Sequence, residues 1–150
     1  MIVREALPEE THELSQLALS AKATWGYSEE FILACKESLT ITEEYIQNNY
    51  VYILEHLNVK IGFFAFKRTK IDTLDWLYIH PKYKGKGYGR ILWQSLVVKA
   101  VELGIMDFMI VSEPKAEGFY IKMGAKRTGE TFSTTFKDRI LPILHYDVPN

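Results

Sequence analysis

The sequence predicts an α/β domain: a mixed sheet with helices on its faces. Three observations point there. From Tyr50 to His80 the chain is rich in aromatic and β-branched residues, in runs of strand length. The N-terminal third instead places its apolar residues at helical spacing. A glycine-rich turn then joins a strand pattern to the strongest helix pattern of the chain, Arg90–Leu103.

In chain order, Ile2–Ala6 reads as a short first strand. Pro8 suits a helix opening, where its missing N–H costs nothing. Leu14, Leu17, Ala18 and Ala21 continue as an amphipathic helix to about Lys22. Trp25-Gly26-Tyr27 interrupts it, and Ser28 can cap a second helix carrying Phe31, Ile32 and Cys35. Thr40 and Glu43 have capping-box spacing, which predicts a third helical piece through Gln47. Tyr50–Glu55 and Ile61–Lys67, separated by residues 56–60, form a hairpin signature. Ile71–His80 is a further strand, stopped by Pro81.

After the glycine turn, Leu92, Trp93, Leu96, Val97, Ala100, Val101 and Leu103 give the Arg90–Leu103 helix a broad apolar face. Gly104 stops it. Phe108–Val111 fits a buried strand, Ala116–Met123 a compact helix ending at Gly124, and Lys126–Thr131 and Ile140–Asp147 two last strands.

Composition limits the function classes. The 150 residues, 47% hydrophobic and 25% charged, are ordinary for one globular domain. A net charge of -1 excludes a globally basic nucleic-acid coat. One cysteine, Cys35, excludes an internal disulfide framework. His12, His56, His80 and His145 show no ligand spacing, so no metal is expected. The chain shows no membrane span and no secretory signal, so a cytoplasmic protein with no membrane partner is expected.

The chemistry sits in Lys84-Gly85-Lys86-Gly87-Tyr88-Gly89-Arg90, between a strand and a helix. Alternate glycines free the backbone, so successive N–H groups can turn toward one small anion. The helix N-terminus favours the same guest, and a pyrophosphate is the natural one. A P-loop would need Gly, four residues, then Gly-Lys-Ser/Thr, and no such run exists. A dinucleotide fingerprint would need glycine where Arg90 stands.

The run Leu77–Leu92, with Lys84-x-x-Gly87-x-Gly89, resembles the acyl-CoA motif of the GNAT N-acetyltransferase superfamily. Lys84 stands where Arg or Gln is commoner. Glu113-x-x-Ala116-x-x-Phe119-Tyr120-x-x-Met123-Gly124-Ala125 resembles the second signature, with Glu113 where Asn is usual. Residues 20–27 and the segment 139–142 also resemble a bacterial subgroup of that family.

The resemblance implies a mixed, mostly antiparallel central sheet in a single domain over residues 1–150. It implies an N-acetyltransferase that moves acetyl from acetyl-CoA to a primary amine by direct attack in a ternary complex. Leu77, Tyr78 and Ile79 would hold pantetheine through their backbone, and Lys84, Gly85, Lys86, Gly87, Tyr88, Gly89 and Arg90 the pyrophosphate. Glu113, Phe119 and Tyr120 would complete the cofactor site, with Tyr120 as acid to the departing thiolate. The base stays open among Asp75, Glu113 and His80. Asp75 also reads as a solvated strand residue, His80 as structural, and Glu113 as a bond to the pantetheine amide. Trp25 and Tyr27 either bracket the acceptor or form a lid on the core, with Ser133–Arg139 as an opposite wall. The acceptor would be a small-molecule or peptide amine, and a homodimer fits the family. The other reading is a non-catalytic CoA-binding sensor or partner-binding module.

Overall fold

A computed structural model describes residues 1–149. Its elements are β1 (Ile2–Glu5), α1 (Thr11–Ala23), α2 (Glu29–Cys35), α3 (Glu43–Asn48), β2 (Tyr50–His56), β3 (Val59–Lys67) and β4 (Thr73–Ile79). They continue as α4 (Tyr88–Glu102), β5 (Asp107–Val111), α5 (Glu117–Lys122), β6 (Lys126–Phe132) and β7 (Ile140–Asp147). The strands form one sheet of order β1-β2-β3-β4-β5-β7-β6. Its pairs are antiparallel except β4 with β5, which is parallel. The mixed, mostly antiparallel sheet with helices on its faces is therefore present.

Both faces of the sheet are covered, which is why β2 and β3 read as continuous apolar runs. Tyr52, Leu54, Phe64 and Phe66 pack with Leu92, Trp93 and Leu96 of α4. Val51, Ile53, Phe63 and Ala65 pack with Leu14, Leu17 and Ala18 of α1. Trp76 and Trp93 are buried in the two cores, and Cys35 is a buried small hydrophobe.

Three local expectations change. The cap of α3 is Thr42, whose hydroxyl accepts from the Tyr45 N–H, while Thr40 donates to the Lys36 carbonyl. Helix α4 begins two residues early because Gly87 supplies a left-handed cap (φ 85°) just before Tyr88. The β2–β3 connection shrinks to Leu57 and Asn58, with φ of 50° and 65°. Two positive φ values match the twist of the flanking strands, and a leucine there carries no turn signal.

A bulge in β4 matters most for function. Ala65 pairs with Trp76 and Phe66 with Leu74, so Asp75 has no partner opposite it. The extra residue sends Leu74 to the α4 face and Trp76 to the α1 face, although simple alternation would put both on one side.

The β1 end is held by ion pairs. Arg4 reaches Glu10 at 2.7 Å and Glu55 at 2.8 Å, and Lys60 reaches Glu10 at 3.2 Å. The hydrogen bonds from Arg4, opposed by burial, hold the Glu10 carboxyl down at about 2 from the usual 4.5. A depressed carboxyl stabilises the fold above its unfolded pKa and loses that contribution as pH falls through the folded one. Arg4→Ala is expected to cost about 2 kcal/mol at neutral pH, because it takes two guanidinium bonds from a nearly buried carboxylate and leaves it Lys60 and the Leu7 N–H. Urea melts of both proteins should converge as pH falls from 4.5 to about 2. A gap that stays constant across that window would remove the pair from the stability account.

Candidate active site

Strands β4 and β5 touch only where they begin. Thr73 is paired with Met109, and the Met109 N–H donates to the Asp72 carbonyl at 2.9 Å. Beyond that point β5 stays with β7, while no β4–β5 pairing continues among the described residues. A cleft of about 270 Å³ opens in the gap. Leu77, Tyr78 and Ile79 line one side and Ile110, Val111 and Glu113 the other. The β5-facing backbone groups of β4 there are left without a strand partner, which suits an extended, amide-bearing guest.

The glycine loop borders the same cleft. Gly85 and Gly87 have φ of 76° and 85°, a region that glycine enters at low cost and residues with a Cβ rarely adopt. Gly87 caps α4 without a side chain, so the first amides of the 15-residue helix stay unpaired. Gly89 differs from the expectation: it lies within the helix, and its need is for size. A Cβ there would sit 3.2 Å from the Phe119 ring.

Lys84, Gly85, Gly89, Phe119, Tyr120 and Trp25 all line the cleft. Lys86, Gly87, Tyr88 and Arg90 belong to the loop and first helical turn without lining it. Arg90 instead borders a second hollow, with Trp93, Lys122 and Tyr146.

Tyr120 is 8% exposed, and its hydroxyl has no hydrogen-bond partner among the described residues. No sealed side-chain polar atom lacks a partner among those residues, so this hydroxyl opens on the cleft it lines. Burial first, and the neighbouring Tyr78 second, push its phenol well above the usual value. Burial and then Glu113 do the same for Tyr78. The cleft thus holds two phenols that keep their protons at neutral pH.

Glu113 is the centre of a cluster that sequence reasoning did not assemble. Its carboxylate takes Lys22 Nζ at 2.5 Å, Arg139 Nη2 at 2.9 Å and the Tyr27 hydroxyl. Burial alone would raise this carboxyl, but the bonds from Lys22, Tyr27 and Arg139 outweigh it and hold it at about 2. The same burial, reinforced by Glu113, pushes the Tyr27 phenol up to about 12.

Tyr27 stacks on Phe31 at 4.2 Å and Phe31 on Phe136 at 4.6 Å. The α1–α2 linker and the 133–139 loop are thereby clamped to the loop after β5. Tyr27 belongs to this clamp, while Trp25 lines the cleft under the Lys84 ammonium, 4.4 Å from its ring.

Lys22 was legible: with Leu14 and Ala18 it falls on the buried stripe of α1, and a charge on such a stripe asks for a partner. Arg139 and Phe136 lie in the 133–139 segment expected as a wall of the acceptor site, but nothing local ties either to Glu113 or Phe31. Tyr45, whose hydroxyl donates to Asp75 Oδ2 at 2.6 Å, carries no local signal. Asp75 lines the cleft at its bulge. His80 Nδ1 accepts the Lys82 N–H at 3.2 Å, capping the turn that follows β4. No group of three metal-ligating side chains is found among the described residues. None of the described helices is long and apolar enough to cross a membrane.

The sheet is thus parted between its parallel strands β4 and β5, with the glycine loop at the parting. A family model described as "Acetyltransferase (GNAT) domain" matches residues 10–136, and the chain belongs to that family of acetyl-transferring enzymes. Among curated proteins it is similar to a 5-NmdU N-acetyltransferase of Pseudomonas phage PaMx11, at 23% identity over 87% of this chain and 91% of the relative. Its fold matches a GCN5-related N-acetyltransferase from Rhodopseudomonas palustris, with TM-score 0.80, 19% identity and 97% and 94% of the two chains covered. It also matches a PaiA N-acetyltransferase from Thermoplasma acidophilum solved with coenzyme A, with TM-score 0.77, 20% identity and 97% and 98% covered.

Proposed function

We infer that this protein transfers acetyl from acetyl-CoA to a primary amine by direct attack in a ternary complex. The observation that carries the reading is the cleft itself. It runs from the unpaired amides of α4, past the open edge of Leu77–Ile79, to the Tyr120 hydroxyl. Loop amides suit a pyrophosphate, and the walls of Leu77, Ile79, Ala116 and Phe119 suit the apolar stretches of pantetheine. Bound there, acetyl-CoA supplies an activated thioester carbonyl. The phage relative, named an N-acetyltransferase, supports transfer to nitrogen.

Tyr120 keeps its proton and is the donor for a leaving thiolate. Glu113, with its lone pairs committed to three side-chain donors, positions the clamp and is a poor proton acceptor. Asp75 has one oxygen held by Tyr45 and a place on the cleft wall, so it takes the amine's proton, directly or through water. In balance, Asp75 receives that proton and Tyr120 gives one to the sulfur as the C–N bond forms and the C–S bond breaks. The single-domain organisation, the cytoplasmic location, the homodimer and the lack of a nucleic-acid partner expected from the sequence belong to this reading.

Calorimetric titration with acetyl-CoA, controlled with ATP and NAD, tests the cofactor. Binding to acetyl-CoA alone supports the reading, and no binding sinks it. Binding without turnover of any amine would return the protein to a CoA-binding module. Asp75→Asn is expected to lower kcat/KM on the order of 100-fold with acetyl-CoA affinity unchanged. Unaltered turnover would remove Asp75 as the base.

A further inference from the structure

The α1–α2 linker touches both lips of the cleft. On one side stands the glycine loop that follows β4. Its Lys84 Nζ lies 4.4 Å from the centre of the Trp25 ring and donates to Thr24 Oγ1 at 3.2 Å. On the other side stands the turn that follows β5. Its Lys115 Nζ donates to the Trp25 carbonyl at 2.6 Å and lies 4.2 Å from the centre of the Tyr27 ring. Strands β4 and β5 pair only at Thr73 and Met109 among the described residues, so the linker crosses a gap that the sheet leaves open.

Both ends of the crossing are fixed by their surroundings. Thr24 and Trp25 continue the last turn of α1 through N–H bonds to the Ala21 and Lys22 carbonyls, each 3.2 Å. Gly26 then turns the chain at φ 83°, and this separates two neighbouring rings. Trp25 lines the cleft, while Tyr27 goes to the Glu113 carboxylate. Glu113 Oε1 also accepts the Lys115 N–H at 3.3 Å, which sets the base of the Lys115 side chain. Two ammonium groups, each seated on a ring and each donating a hydrogen bond, thus hold the indole at the opening. Trp25 shares that opening with Leu77, Ile79, Ala116 and Phe119.

We propose that residues 24–27 form a strap across the cofactor cleft, with Trp25 the roof over the pantetheine arm of coenzyme A. Lys84 and Lys115 are its two fastenings. Trp25 is then a cofactor contact, and Lys115 is a positioning residue that acts through it. The proposal rests on the acetyl-transfer reading above and adds to it what closes the cleft over the cofactor.

Calorimetric titration with coenzyme A and with adenosine 3′,5′-bisphosphate, the part of it that lacks pantetheine, tests the roof. Trp25→Ala should weaken coenzyme A roughly tenfold and leave the bisphosphate within about twofold of the parent. Stopped-flow mixing with coenzyme A tests the fastening. Lys115→Met keeps the exposed stem and deletes both contacts of the ammonium. It should raise the association and dissociation rates together, the second roughly tenfold, because a loosened strap opens more often. Lys115→Arg can still reach the carbonyl and lie on the Tyr27 ring, so it should restore the parent's rates.

Equal losses for the two ligands in Trp25→Ala would make Trp25 a support of the glycine loop and overturn the roof. Unchanged affinity for coenzyme A would do the same, and unchanged rates in Lys115→Met would overturn the strap. If the alanine variant does not fold, the two Lys115 variants decide. Failure of the parent to bind coenzyme A sinks the enzyme reading and the roof with it, whereas binding that no variant alters sinks the roof alone.

Discussion

Gly87→Val is expected to abolish measurable acetyl-CoA binding while the protein still folds. Gly87 has φ 85° and no neighbour within 4 Å of where a Cβ would be, so the obstacle is backbone strain and not a clash. A β-branched residue held in that region costs about 1–3 kcal/mol. The loop relieves the cost by turning its peptide units, and those units carry the amides meant for the pyrophosphate. An affinity loss on the order of 100-fold or more follows by calorimetry. The site lies on an exposed turn, so the circular dichroism spectrum should match that of the parent. Gly89→Val should fail for another reason, because its side chain would press on Phe119, which lines the cleft. Unchanged affinity in the Gly87 variant would remove the loop from the cofactor site.

Tyr120→Phe carries the second large effect. The change keeps the ring that packs beside Trp93, with centroids 6.0 Å apart, and deletes only the hydroxyl. Folding and acetyl-CoA affinity should therefore stay close to the parent. Loss of a positioned acid lowers turnover about 10²- to 10⁴-fold. Burial holds this phenol protonated well past its usual 10.0, so Tyr120 itself should cause no fall in the wild-type rate up to about pH 9. Full activity in the phenylalanine variant would leave Tyr120 as a packing residue. Tyr78, the other protonated phenol of the cleft, would then be the next to replace.

Much of this was readable along the chain. Covered strands read as apolar runs at β2 and β3, and α1 and α4 as helical stripes, because burial on a regular element imposes its period on the residues. The glycine loop was readable because only one residue type tolerates φ near 80° at Gly85 and Gly87. Its place before α4 supplied the anion chemistry. Boundaries were less legible. Thr40 has the spacing of a cap and is not one, since a hydroxyl can bond backward to Lys36 as readily as forward. The bulge at Asp75 left no mark either, because Leu74 and Trp76 are apolar on whichever face they fall.

Local order, the loop, the family and the presence of Tyr120 are properties of neighbouring residues, and the chain declares them by itself. The charge states at the candidate site were decided only by folding. The Glu113 carboxylate is met by Lys22, 91 positions away, and Arg139, 26 positions away. The same folding set Tyr45 on Asp75. Hydrogen bonds between distant segments obey no period and demand no special residue. Their energy depends on distance and burial, which exist only once the sheet has brought the loops together.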